Sequence, residues 1–322
     1  MNWGTRSLWT ASAISSLLLL SLIVSQIDWV AARALTQTIN YFWIAAGMGL
    51  QLMEGTITAM RFQLLSRSNA RMRECLRASA WYVVLLIALP VRIGEIAGVA
   101  LIVRYLGERT GAAAASLLFQ RLFDMIFLIT MLALICVWAF AQTNILAVVT
   151  LILVIITLVL VVVYFENLLG FAAQPLLNRR DQKWPRRVLR IALQARMVRR
   201  HHIDRGRITK LIALTLMKWI VNLSAVAMVA IAVVPILTLN TAFGIGIVYN
   251  LSAVIPVQTV GGFGISEAAL LGSFRWLGYS LGVGASIAIG IRIALIAGPL
   301  LFWLVIIVVQ DTWATTAKNA NE

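Results

Sequence analysis

Nine charged side chains stand inside long apolar runs of this chain: Glu54, Arg92, Glu95, Arg121, Asp124, Lys218, Glu267, Arg275 and Arg292. A charge at the centre of a membrane helix costs about 2.5–3.5 kcal/mol on the insertion scale, so each needs a partner or an aqueous cavity. Two of the acids share a setting. Glu95 closes ALPVRIGE (88–95) and Glu267 closes VIPVQTVGGFGISE (254–267), with a proline and then glycine ahead of each carboxylate. An arginine follows each acid at nearly the same distance, Arg121 by 26 positions and Arg292 by 25.

Glycine allows a sharp turn and a close backbone approach. A half-helix starting at Gly94 or Gly264 would present free backbone N–H groups, which attract anions. Ser266 is placed to cap the second such helix, with Glu267 in its first turn. Two roles stay open for Glu95 and Glu267. Either they meet a substrate or a proton, or they stabilise a helix start and pair with Arg121 or Arg292. Arg92, Arg121 and Arg292 match phosphate oxygens in a bidentate way, and ion pairing is their alternative role. Asp124 lies one turn after Arg121, so a local pair is expected. Gln258 and Asn250 are suited to exposed backbone in a hairpin, and Gly261 and Gly262 complete the glycine break. Glu54, beside Gly55 and Thr56, is expected to face the same cavity. Lys218 is expected to snorkel from near a span end.

The elements that must hold these groups are membrane helices. The chain has 322 residues, 61% hydrophobic, and 21-residue runs at Ser7–Ile27 and Ile145–Phe165 carry no charge. Runs of about 20 apolar residues are the spanning signal. The first run is too long for a signal-peptide core and no clean small-residue cleavage pattern follows it, so it is expected to be a retained span. Apolar segments fall near 7–27, 41–60, 78–103, 112–140, 145–165, 211–234, 241–276 and 282–309. The net charge is +15, concentrated in loops 61–77 and 166–210. This distribution fits cytoplasmic loops under the positive-inside rule. No basic platform with stacking aromatics points to nucleic acid. The loop at 28–40 carries only Asp28 and Arg33.

Placing both basic loops in the cytoplasm requires an even number of crossings between them, yet three apolar segments intervene. Segment 78–105, broken by Pro90, Arg92, Gly94 and Glu95, is therefore expected to be a re-entrant hairpin, which needs cover from protein or a water-filled cavity. Segment 241–276 is its counterpart. The expected fold is an all-α polytopic membrane protein with two inverted repeats, each with three transmembrane helices and one re-entrant helical hairpin, a transporter arrangement. The repeats span 1–165 and 211–322, joined by a basic cytoplasmic linker at 166–210, with both termini cytoplasmic. Within the linker, Trp184–Arg200 fits either an in-plane helix on anionic lipid or an ordinary basic loop.

Cys75, in an arginine-rich loop, and Cys136, in an apolar run, imply no disulfide framework, and His201 and His202 have no companion ligands. No metal and no cofactor is expected. No Walker A, G-x-S-x-G or H-E-x-x-H sequence is present, so nucleotide hydrolysis and these hydrolytic chemistries are not implied.

PVRIGEIAGVALIVRYLGERTG (90–111), FQRLFD (119–124) and PVQTVGGFGISEAALL (256–271) resemble the signatures of the lysylphosphatidylglycerol synthase transmembrane-region family, also called the flippase-like domain family. The apolar pattern extends the resemblance over nearly the whole chain. Gln120 stands where the family often has an acid. The resemblance implies movement of a lipid between leaflets, with an anionic phospholipid or a lipid-linked molecule as partner. The chain reaches Glu322 without the family's soluble synthase part, so aminoacyl transfer is not expected, and a lipid-synthesising enzyme is a candidate partner. Two alternatives stand beside a translocase of the plasma membrane: a membrane-embedded enzyme or subunit of lipid or glycolipid modification, and a scaffold that recruits a synthase through Arg186, Arg187 and Arg190.

Overall fold

The computed structural model describes residues 18, 21–66, 70–89, 93–140, 149, 205–252 and 263–319. Their regular elements are all helical: α1 (Trp29–Thr38), α2 (Tyr41–Leu65), α3 (Met72–Ala88), α4 (Ile93–Leu106), α5 (Thr110–Phe140), α6 (Arg205–Val233), α7 (Leu239–Ser252), α8 (Ile265–Trp276) and α9 (Leu281–Asn319). Among the described residues, three helices are long and apolar enough to cross a membrane, at Thr110–Met131, Gly206–Val233 and Leu281–Gln310. The protein is a multi-pass helical membrane protein. Most of segments 7–27 and 145–165, most of the linker and the Pro90–Arg92 turn lie outside the described residues.

The expected loop at 28–40 is instead largely helical. Asp28 caps α1, its carboxylate accepting from the N–H groups of Val30 and Ala31, both at 3.0 Å. The cap supplies what the short stretch lacks in apolar length. Helix α6 ends at Val233, two residues before Pro235, whose ring disfavours helical backbone at the preceding residue.

By contacts the chain forms two compact units. The first comprises Met1–Ala59, Leu76–Gly98 and Lys218–Glu322; the second comprises Met60–Cys75 and Val99–Met217. In the first unit, Val226, Val229, Ala230, Ile245, Leu270, Phe274, Ile287 and Ile291 form a core from α6, α7, α8 and α9. Its helices approach closely through small residues, as membrane helices do. A Cβ on Gly47 would lie 2.8 Å from Val229, and one on Gly94 would lie 2.8 Å from the Leu85 carbonyl oxygen. The second contact sets the start of α4 directly against the end of α3.

Pro299 sits inside α9. It has no N–H to offer the carbonyl four residues earlier. That carbonyl, on Leu295, instead accepts from Gln51 Nε2 of α2 at 3.3 Å. Gly298 gives Gln51 its place, since a Cβ there would overlap the Gln51 amide oxygen.

The second unit has a smaller core of Leu65, Phe119, Phe123 and Leu211. Arg61, expected in a solvated basic loop, lies instead near the end of α2 with only 1% of its surface exposed. Its Nη1 pairs with Asp124 at 3.0 Å and its Nη2 donates to the Gln120 carbonyl at 3.0 Å. Cys75, expected in the same loop, is buried within α3.

Candidate functional site

Glu54, Asn222, Asn250, Glu267 and Arg292 of the first unit lie at similar distances along their helices. Arg292 lies about 11 residues along α9 from Leu281, a rise of roughly 16 Å. Asn250 lies about as far along α7 from Leu239, and Asn222 about as far back along α6 from Val233. Glu54 lies roughly 20 Å along α2 from Tyr41. These helix ends belong together. The Asn40 N–H donates to the Ala232 carbonyl at 3.0 Å, and Ser286 of α9 donates to the Asp28 carbonyl at 3.2 Å. These rises are comparable with half of a bilayer's hydrocarbon core, about 15 Å.

Two branches of contacts link these groups. In the first, Gly264 caps α8 with φ of 90°, a left-handed backbone that glycine tolerates and other residues rarely adopt. Glu267 Oε2 accepts from the Gly264 N–H at 2.6 Å. Its other oxygen lies 3.1 Å from Arg292 Nε, an ion-pair contact without hydrogen-bond alignment. Glu267 is 1% exposed. The guanidinium carbon of Arg292 lies 5.6 Å from the Tyr249 ring centroid and 5.5 Å from that of Phe263, and Arg292 Nη1 donates to the Tyr249 hydroxyl. Aromatic faces favour a cation electrostatically. The expected cap, Ser266, is displaced by Gly264. Its hydroxyl accepts from Ser252 Oγ at 3.4 Å, a bond from α7 to α8. The glycine takes the cap because the turn demands its backbone, and Glu267 reaches back to supply the acceptor.

In the second branch, Asn222 Nδ2 donates to Glu54 Oε2 at 2.9 Å, and Asn250 Nδ2 donates to Asn222 Oδ1 at 2.9 Å and to the Gly246 carbonyl at 2.8 Å. Tyr249 and Asn250 are neighbours on α7, so that helix touches both branches.

Of the sequence-derived candidates, Gly264, Ser266, Glu267, Arg292, Glu54 and Asn250 belong to these branches or border them. Arg92, Gln258, Gly261 and Gly262 lie outside the described residues. Gly94 and Glu95 stand in the first turn of α4, Gly94 packed on α3 and Glu95 half-buried. Arg121 and Asp124 belong to the second unit, where spacing suggests a local pair; the structure adds a cross-helix partner, Arg61, for Asp124. Lys218, expected near a span end, lies well inside α6 because that helix begins at Arg205, and its ammonium sits 4.4 Å from the Trp219 ring centroid. Sequence reasoning missed Tyr249, Phe263 and Asn222. Of these only Asn222, an amide in an otherwise apolar run, carries a signal that could have found it.

Arg292, held by an acid, a phenol and two rings, can exchange one of these contacts for a phosphate oxygen without leaving a bare charge. The residues are suited to holding an anion. The family model described as Lysylphosphatidylglycerol synthase TM region matches residues 8–302. Comparisons with curated proteins and with solved structures gave no match.

Proposed function

The chain belongs to the lysylphosphatidylglycerol synthase TM region family, and from that premise we propose that it is a lipid translocase. It moves a phosphate-headgroup or lipid-linked molecule between leaflets of the plasma membrane, as a carrier rather than an enzyme. Arg292 receives the headgroup at the midplane, Glu267 holds the arginine when the site is empty, and the acyl tails stay in lipid. The observation that carries this reading is the buried Glu267–Arg292 pair beside the start of α8. A glutamate held by a backbone N–H and an arginine held by two rings form a site whose internal partner a phosphate can replace.

The architecture in this reading is two inverted halves, each with a re-entrant hairpin, and cytoplasmic termini. The close approach of α4 to α3 at Gly94 supports the first hairpin, and the packing of α8 on α7 supports the second. Mass spectrometry of gently purified protein tests the headgroup site. The wild type is expected to retain an anionic phospholipid or lipid-linked molecule, and Arg292→Ala to lose it. Equal retention by both would remove Arg292 from the site.

A further inference from the structure

The Glu54 branch has a fixed polarity that the lipid site does not use. The Gly246 carbonyl can only accept, so the Asn250 atom facing it must be the amide nitrogen, as placed. That nitrogen also donates to Asn222, whose facing atom must then be its oxygen. Asn222 therefore turns its NH2 towards Glu54, and Glu54 Oε2 must accept. A backbone carbonyl on α7 thus dictates, through two amides, that the Glu54 carboxylate on α2 accepts at Asn222.

Oε1 is left over. Among the described residues Glu54 makes no ion pair, in contrast to Glu267 with Arg292 and Asp124 with Arg61. It is half-buried, so Oε1 is not sealed from its surroundings. The groups on the neighbouring elements are neutral or engaged. Asn222 and Asn250 are amides, Lys218 lies against Trp219 one turn before Asn222 on α6, and Arg292 on α9 is paired with Glu267. Gln51 and Thr58, one turn either way on α2, are neutral, and Ser79 of α3 donates to the Gly55 carbonyl at 2.7 Å. An unpaired carboxylate at membrane depth is expensive, and taking up a proton removes the charge.

We infer that Glu54 is a proton-binding site coupled to the lipid site, with the proton carried on Oε1. This rests on the translocation reading for its purpose, but not for its chemistry. One proton from water converts the carboxylate to the neutral acid and is returned when it ionises. The bond to Asn222 survives both states because Oε2 accepts in both. It is stronger to the ionised form, since charge-assisted hydrogen bonds are roughly twice as strong as neutral ones. Protonation therefore loosens the tie from α2 through α6 to Asn250 of α7. The adjacent residue on α7, Tyr249, holds Arg292, so one helix answers to the proton and to the headgroup together. In the proposal α7 is the element that both sites bias.

Infrared difference spectroscopy of the full chain in lipid nanodiscs, titrated with pH, tests the site directly. The wild type is expected to show a protonated-carboxyl C=O band that is lost in Glu54→Gln and kept in Glu267→Gln. Glutamine retains an acceptor for Asn222, so the variant is expected to fold, which a monodisperse elution profile checks. Asn222→Ala leaves Glu54 in place and removes its donor, so the band's frequency should shift. A band unchanged in Glu54→Gln, or one indifferent to Asn222→Ala, overturns the proposal. A second arm follows a headgroup-labelled lipid in proteoliposomes under an imposed pH gradient. Wild-type movement should respond to the gradient and the Glu54→Gln variant should not; an equal response in both overturns the coupling. Absence of lipid movement by the wild type in any condition would count against translocation, and the infrared result would still decide the proton site.

Discussion

At the scale of residues, the structure separates charges that are held from charges that hold something. Removing one member of a buried pair strands the other and costs about 3–5 kcal/mol, whereas removing both costs less. Arg292→Ala is expected to show that loss in denaturant titration, and the Glu267→Gln, Arg292→Leu double variant to recover a good part of it. Arg61→Ala should be similarly damaging, because Asp124 and the Gln120 carbonyl would lose their common partner. A surface-loop arginine would leave stability nearly unchanged, so this variant discriminates between the two placements. Burial, with Glu74 adding to it, pushes the Cys75 thiol up to about 11. The neutral thiol thus persists from neutral pH up to strongly alkaline pH, and only the thiolate reacts. Cys75 is expected to resist maleimide in the native protein near neutral pH and to label fully in denaturing detergent. Glu267 and Arg292 are legible in the sequence because a charge in an apolar run has to be explained. Arg61 is not, because it stands where hydropathy falls and only tertiary packing shows that α2 continues through it. Tyr249 and Phe263 are hidden for the opposite reason: aromatic side chains in apolar sequence attract no notice until a cation is found on their faces.

At the scale of elements, two breaks in regular helix are supported by specific contacts. Pro299 leaves the Leu295 carbonyl to Gln51. Gln51→Leu should cost about 1–3 kcal/mol by orphaning a buried carbonyl. The same change should cost much less when made together with Pro299→Ala, which restores an N–H to α9. A double-mutant cycle measures the coupling, and additive effects would rule out the compensation. Gly94→Ala drives a methyl onto the Leu85 carbonyl and should destabilise the α3–α4 contact by about 1–3 kcal/mol, read as a fall in the midpoint of thermal unfolding. The proline followed by glycine ahead of Glu95 and of Glu267 marks a helix break in the sequence itself, because proline cannot continue the hydrogen-bond ladder. The choice of Gly264 rather than Ser266 as cap is not readable there, since both residues favour that position and the left-handed turn decides between them. Helix α1 escapes a hydropathy reading although Asp28 is a typical cap, because its 10 residues fall well short of a spanning run.

At the scale of the whole molecule, the membrane class follows from composition. In the proposed orientation the loops that carry most of the 27 basic residues face the cytoplasm. Single cysteines at Ile236 or Trp276, both highly exposed at the end of the first unit away from Glu267 and Arg292, are expected to label from outside intact cells. Cysteines at Arg186 or Arg190 should label only after permeabilisation. The inverse pattern would reverse the orientation. The central claim is that Arg292 and Glu267 serve a headgroup crossing the midplane, and it is tested most directly by following a headgroup-labelled anionic lipid in proteoliposomes of the purified chain. The account predicts transfer between leaflets by the wild type and loss of it in folded Arg292→Ala and Glu267→Gln proteins. Transfer at the wild-type rate in both variants, or none in the wild type, would contradict it.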